Sequence, residues 1–212
     1  MKLVVISPER DDPREIAVMG ALFAAGLERY HVRKPHWPAA KLGAWLHALP
    51  AEWHSRLVLH SHHEFVAERR LGGDKCASLG GRHWRDDGLA PFMPPEGEGL
   101  TSRSCHDLVA LRTALGSYDS VFFGPVFPSL SKSGHGPRGD FSVDKLSILL
   151  AQRTSIERRT AVLALGGVRV ERLSRCRELG FDGVAVLGAV WQSDDPARAF
   201  AGLQEALCCH VA

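Results

Sequence analysis

Ala161-Val162-Leu163-Ala164-Leu165-Gly166-Gly167 is followed, after a stretch with helical character, by Gly183-Val184-Ala185-Val186-Leu187-Gly188-Ala189. Both are short continuous apolar runs, the pattern of strands buried on both faces, and each ends in small residues where a strand turns into a helix. Together they make one βα repeat. Working outward, the same alternation predicts strands at Lys2–Ile6, Arg29–Arg33, Arg56–His60, Asp74–Leu79, Leu100–Ser104 and Ser120–Gly124, which with Ala161–Leu165 and Gly183–Leu187 completes eight units. Spread over 212 residues, that is about 26 residues per unit, near the lower size limit of a closed (β/α)8 barrel. The expected fold is therefore α/β, a single TIM-type barrel domain over residues 1–212. A doubly wound open sheet also alternates β and α, but its first turn would want G-x-G-x-x-G, and Ile6-Ser7-Pro8-Glu9-Arg10 has no glycine.

Local signals agree with the repeat. Asp12-Pro13-Arg14-Glu15 and Asp195-Pro196 each place an acidic cap before a proline at a helix start. Two segments break the rhythm: the glycine- and proline-rich stretch from Lys75 to Gly99, and Gly124 to Gly139 with Pro125, Pro128 and Pro137. Long loops of this kind in compact domains are commonly functional.

Composition excludes several classes. Twenty-six Lys+Arg against 24 Asp+Glu leave a net charge of +2, with no basic stripe for nucleic acid. The longest charge-free stretch of the first half, Ile16 to Leu27, is too short to span a bilayer. The apolar N-terminal run is too short for a signal-peptide core, so a cytoplasmic location is expected. The five cysteines (Cys76, Cys105, Cys176, Cys208, Cys209) form no C-x-x-C and read as reduced thiols.

In a barrel, the residues just beyond each strand share one mouth, so the strand ends spell out the site. Strand 2 ends in His31-Val32-Arg33-Lys34-Pro35, delivering a guanidinium fork and an ammonium suited to phosphate oxygens. Beyond strand 6, Ser129, Ser131 and Ser133 surround Lys132, so one short segment offers a polyanion several donors and a charge. Gly166, Gly167 and Gly188, after strands 7 and 8, let backbone N–H groups approach a phosphate. Strand 3 ends in His60-Ser61-His62-His63-Glu64, where period-two spacing puts His60 and His62 on one face, with Glu64 or Cys76 as further zinc or iron ligands. The neighbouring strand ends show no plain third ligand, so no stoichiometric transition metal is expected.

With these ends in hand, the chain resembles the thiamine-phosphate synthase and thiazole-tautomerase family of small barrels. The resemblance covers nearly the whole length and rests on H-V-R-K-P (31–35), S-C-H-D-L (104–108), Y-D-S-V-F-F-G-P-V-F-P-S-L-S-K (118–132), A-L-G-G-V (164–168) and F-D-G-V-A-V-L-G-A-V-W (181–191). It implies that Arg33, Lys34, Ser129, Ser131 and Lys132 face the diphosphate of a pyrimidine substrate, and that Ser104 stands near the pyrimidine ring. It further implies that Gly167, Leu187 and Gly188 hold a thiazole phosphate. Diphosphate would leave first, and the thiazole nitrogen would capture the resulting pyrimidinylmethyl cation. The partners are then small phosphorylated substrates, with a homodimer as an assembly it allows.

Two departures accompany the resemblance. Synthases carry an Asn-Asp pair after strand 3 and another aspartate after strand 4 to hold Mg²⁺; here His62-His63 take the first place, and Gly73-Asp74-Lys75-Cys76 supplies no matching acid. Histidine suits Mg²⁺ poorly, which leaves Glu64, Asp86 or Asp87 as stand-ins. Tautomerase relatives use a histidine just after strand 6, where this chain has Pro125. The sequence thus predicts a thiamine-phosphate synthase-like protein that binds thiazole phosphate and turns over slowly or not at all. Its alternatives are a metal-independent tautomerase using His60, His62 or His135 as acid/base, and a phosphate-binding homologue without chemistry.

Overall fold

The computed structural model describes residues 1–67, 78–88, 93–94, 97, 99–128 and 142–208. Eight parallel strands close on themselves in sequence order: β1 (Lys2–Ile6), β2 (Tyr30–Val32), β3 (Leu57–Leu59), β4 (Gly81–Trp84), β5 (Leu100–Cys105), β6 (Ser120–Phe123), β7 (Ala161–Leu165) and β8 (Gly183–Val186). The ring closes where Val4 of β1 pairs with Ala185 of β8. Helices between the strands are α1 (Glu15–Ala24), α2 (Ala39–His47), α3 (Glu64–Ala67), α4 (Leu108–Ala114), α5 (Val143–Ala151), α6 (Leu173–Glu178), α7 (Gly188–Trp191) and α8 (Pro196–Cys208). The (β/α)8 barrel expected from the repeat is the fold. Among the described residues, no helix is long and apolar enough to cross a membrane.

Most predicted strands fall within a residue of the observed ones, and β4 does not. Of the predicted Asp74–Leu79 strand, only Ser78 and Leu79 lie among the described residues, and they are not in a strand; the fourth strand is Gly81–Trp84. Hydropathy concealed β4 because it carries Arg82 and His83, both buried. Gly81 is required at its start, since a Cβ there would run into the carbonyl oxygen of Leu100 on β5.

Helix starts follow local chemistry. Asp195 caps α8, its Oδ1 accepting from Arg198 N at 3.0 Å. Asp12 instead caps the turn before α1, accepting from Arg14 N at 2.9 Å, and the helix proper begins at Glu15.

Strand alternation divides the core in two. Outward residues such as Val5, Tyr30, Val32, Leu57 and Leu59 pack under the helices in one continuous layer. Inside the barrel, Val4, Ile6, Phe122, Leu163 and Ala185 fill the β1, β6, β7 and β8 side with apolar atoms. The opposite side, from β2 to β5, is filled by His31, His60, His83 and Ser102 together with Val58, all buried.

Candidate functional site

The β1 and β2 ends are locked together by Ser7. Its Oγ accepts from Arg33 N at 2.7 Å and donates to Arg33 O at 3.2 Å. This fixes the backbone of Arg33, whose guanidinium pairs with the Glu9 carboxylate at the mouth. Lys34, one residue on, takes the opposite face. Its Nζ donates to Glu15 Oε2 at 2.5 Å, Pro8 O at 2.7 Å and Arg10 O at 3.3 Å, and the side chain is fully buried. All three ammonium donors are thereby used behind the rim. Tyr30 OH donates to the other Glu15 oxygen at 2.9 Å, and burial nonetheless raises the Glu15 pKa against the pull of Lys34.

After β3 the predicted pairing of His60 with His62 does not form. The strand ends at Leu59, and the chain turns through His62 at φ 55°. That turn sends the His62 ring outward, where Nε2 donates to Trp37 O at 2.8 Å and Nδ1 lies 3.3 Å from Glu64 Oε1. His63 Nε2 lies 3.2 Å from both Leu59 O and His83 O. Glu64 therefore stands with His62, away from the mouth.

Because β4 occupies Gly81–Trp84, the residues that follow it are Arg85, Asp86 and Asp87. Asp86 accepts from His106 N at 3.0 Å and lies 3.4 Å from Arg103 Nη2. The His106 ring in turn donates to Gly124 O, linking the ends of β4, β5 and β6. Arg33, His60, Arg85, Asp86, Asp87, Ser104 and His106 surround a cavity of about 470 Å³ with Ile6, Phe122, Leu165, Leu187 and Glu9. A second cavity, of about 540 Å³, opens over the ends of β7 and β8 and is lined by Gly166, Gly167, Gly188 and Ser193 among others. Glu9, Leu165 and Leu187 line both. The mouth is thus two compartments with a shared wall, a charged one around Arg33, Arg85, Asp86 and Asp87 and a second lined by glycines together with Glu9, Arg169 and Glu171.

Beneath the charged compartment lie three histidines that strand-end reading missed as a group. His31 Nδ1 is 3.0 Å from His60 Nε2, and the His60 and His83 rings stack at 4.0 Å. His83 Nδ1 is 2.8 Å from Ser102 Oγ, and its Nε2 is 2.9 Å from Ser104 Oγ. Ser102 Oγ lies 3.3 Å from Arg82 O, to which it can only donate; it then accepts from His83 Nδ1–H, which leaves Nε2 to accept from Ser104. Burial lowers all three imidazole pKa values, that of His31 to about 3, so the rings are neutral at pH 7. His31 was legible as an inward position of β2; His83 was hidden by the misplaced fourth strand.

Of the residues expected in the site, Arg33, Ser104, His60, Asp86 and Asp87 line the charged compartment, and Gly166, Gly167, Leu187 and Gly188 line the second. Lys34, His62 and Glu64 face elsewhere. Ser129, Ser131, Lys132 and His135, with Cys76, lie outside the described residues.

The comparisons with known proteins agree with this architecture. Residues 96–190 match the model of a family described as thiamine monophosphate synthase. Over 211 residues, 94% of this chain and 94% of its relative, the sequence is 31% identical to a thiamine-phosphate synthase of Chromobacterium violaceum. Among solved structures, a thiamine phosphate pyrophosphorylase from Bacteroides thetaiotaomicron superposes with a TM-score of 0.77 at 25% identity, with both chains fully covered. One from Pyrococcus furiosus, at 18% identity, shares the fold with a TM-score of 0.72 over 100% of this chain and 97% of its own.

Proposed function

Since this chain belongs to the thiamine monophosphate synthase family, we propose that it joins a hydroxymethylpyrimidine diphosphate to a thiazole phosphate, releasing diphosphate and giving thiamine phosphate. The observation that carries the reading is the pair of adjoining compartments. A condensation needs two substrates held with their reacting atoms together, and a wall shared through Leu165 and Leu187 suits that need. A unimolecular isomerase would need only one compartment.

In this reading Arg33 and Arg85 take the diphosphate, joined by Lys132, Ser129 and Ser131 from the loop after β6. Ser104, its hydroxyl proton directed to His83, turns its lone pairs toward the pyrimidine. Backbone groups at Gly166, Gly167, Leu187 and Gly188 receive the thiazole phosphate. Departure of a diphosphate concentrates negative charge, and preorganised cations at the rim stabilise that charge without having to reorganise. The apolar side of the mouth, Ile6, Phe122 and Leu165, keeps water from a reactive carbocation.

The donors after β4 fit Mg²⁺. Asp86 and Asp87 offer hard oxygens beside the cations, and Mg²⁺ is commonly held by one or two carboxylates plus substrate phosphates. The expectation that the chain lacks an acid after strand 4 came from placing that strand too early; Asp86 and Asp87 follow the strand directly. When bound there, Mg²⁺ would supply neutralising charge for the leaving diphosphate. An acid after the observed β4 answers one of the two departures noted in the sequence; His62-His63 after β3 remains the other, and the rate of turnover is left to the assay.

The test is formation of thiamine phosphate from both substrates with excess Mg²⁺. The proposal expects Mg²⁺-dependent product, a loss of about 10²–10³-fold in rate for Asp86→Asn, and diphosphate binding weakened about tenfold by Lys132→Ala. Metal-independent rearrangement of thiazole phosphate alone would replace it with the isomerase reading, and saturable binding without turnover with a binding homologue.

A further inference from the structure

Among the described residues, His31, His60 and His83 form the one group of three or more His, Cys, Asp or Glu side chains whose donor atoms lie within 4.8 Å of one another. Each comes from a different neighbouring strand, β2, β4 or the end of β3, so the sheet itself fixes their mutual positions. We propose that these three histidines bind one divalent transition-metal ion of the zinc type inside the barrel, with its fourth position open toward the charged compartment.

The chemistry of the donors supports this assignment. Neutral imidazoles are the ligands of choice for zinc and its neighbours, whereas Mg²⁺ requires hard oxygens. The pocket would therefore select a different ion from the carboxylate rim above it. In a tetrahedral site with Zn–N of about 2.0–2.1 Å, ligand nitrogens lie about 3.3 Å apart, and His31 Nδ1 and His60 Nε2 are already 3.0 Å apart. Those two nitrogens now share one proton. Metal binding needs that proton moved to the far nitrogen of the same ring, a change of tautomer that releases none. His60 and His83 stack with 20° between their planes, so one ring must turn about its side chain to aim its lone pair at a common ion.

Surroundings decide where the open position lies. Phe122 packs against His31 and His83 at 4.7 Å between ring centres, closing the apolar side. Ser102 and Ser104 hold the two nitrogens of His83, so metal binding must displace one of these hydrogen bonds, and Ser104 and His60 reach the cavity wall. A water or a substrate oxygen could complete three-histidine coordination only from that side, the arrangement of a metal site that keeps one position open.

The experiment uses tag-free full-length protein stripped with a chelator and titrated with Co²⁺ or Zn²⁺ alone. One Co²⁺ per chain, with the visible absorption of a four-coordinate site, should be taken up, displaced by one equivalent of Zn²⁺ and unaffected by excess Mg²⁺. His60→Ala and His83→Ala should each weaken uptake by more than the roughly 10–100-fold that loss of an outer partner costs. His62→Ala, whose ring faces outward, should change nothing. No stoichiometric uptake, or uptake that survives both substitutions, would overturn the proposal. Should either variant fail to fold, the imidazole ¹⁵N spectrum of the wild-type protein decides. Zn²⁺ must shift the resonances of His31, His60 and His83, and shifts confined to exposed histidines reject the site. Metal uptake is read without synthase assay, so it stands or falls apart from the proposed condensation.

Discussion

Lys34 and Glu15 show how much one ion pair can organise. At 1% and 3% exposure, neither charge has water to return to, and each holds backbone or a hydroxyl besides its partner. Removing one member of a buried pair leaves the other unpaired, which commonly costs about 3–5 kcal/mol. Glu15→Gln keeps an acceptor for Tyr30 and strands the Lys34 charge, so it should destabilise the protein by that amount in urea unfolding. Adding Lys34→Met to it should restore most of the loss. Lys34→Met alone should leave diphosphate affinity close to wild type, while Arg33→Met weakens it about tenfold, one charged hydrogen bond's worth. A diphosphate affinity equally damaged by both would place Lys34 at the mouth after all. The basic pair was plain in the sequence. Its division was not, because both residues lie beyond β2, which ends at Val32; the Ser7 hydrogen bonds to the Arg33 backbone and the Glu15 pairing of Lys34 set their directions.

Elements were legible where their residues matched a buried strand and obscure where they did not. β1 and β7 coincide with their apolar runs. β4, lying against the polar half of the interior, has no apolar run to find, and its misplacement carried with it both His83 and the position of Asp86 and Asp87. His62 was misassigned because alternation was extended past the end of a strand that stops at Leu59. The contact between the loops after β6 and β7 was also invisible to pattern reading. Arg172 Nη1 donates to Gly167 O at 2.6 Å and lies 3.4 Å from Pro128 O, clasping the two loops. Gly167 sits at φ 63°, and a Cβ there would stand 2.6 Å from Pro128 O, 2.8 Å from Arg172 Nη1 and 2.9 Å from the Phe127 Cβ. Gly167→Ala should therefore destabilise by about 1–3 kcal/mol, from left-handed backbone strain and the displaced loop. Gly202→Ala, within α8 and with open space around its Cβ, should instead stabilise by about 0.5–1 kcal/mol. Urea midpoints of the two variants check both signs.

Across the whole molecule, the barrel is asymmetric in the same sense inside and at its mouth. Apolar side chains fill its interior from β6 round to β1, and histidines and serines, with Val58, fill the rest. Above them the rim divides into a charged compartment and a glycine-lined one, with Leu165 and Leu187 between. In the proposed reading these two compartments receive the two substrates of one condensation. A crystal structure of the protein with Mg²⁺, inorganic diphosphate and thiazole phosphate tests it directly. Diphosphate should lie against Arg33 and Arg85 with the metal on Asp86 and Asp87, and the thiazole phosphate should lie on the backbone of Gly166, Gly167 and Gly188. Both anions competing for one compartment, or the glycine-lined compartment empty at saturating thiazole phosphate, would contradict it.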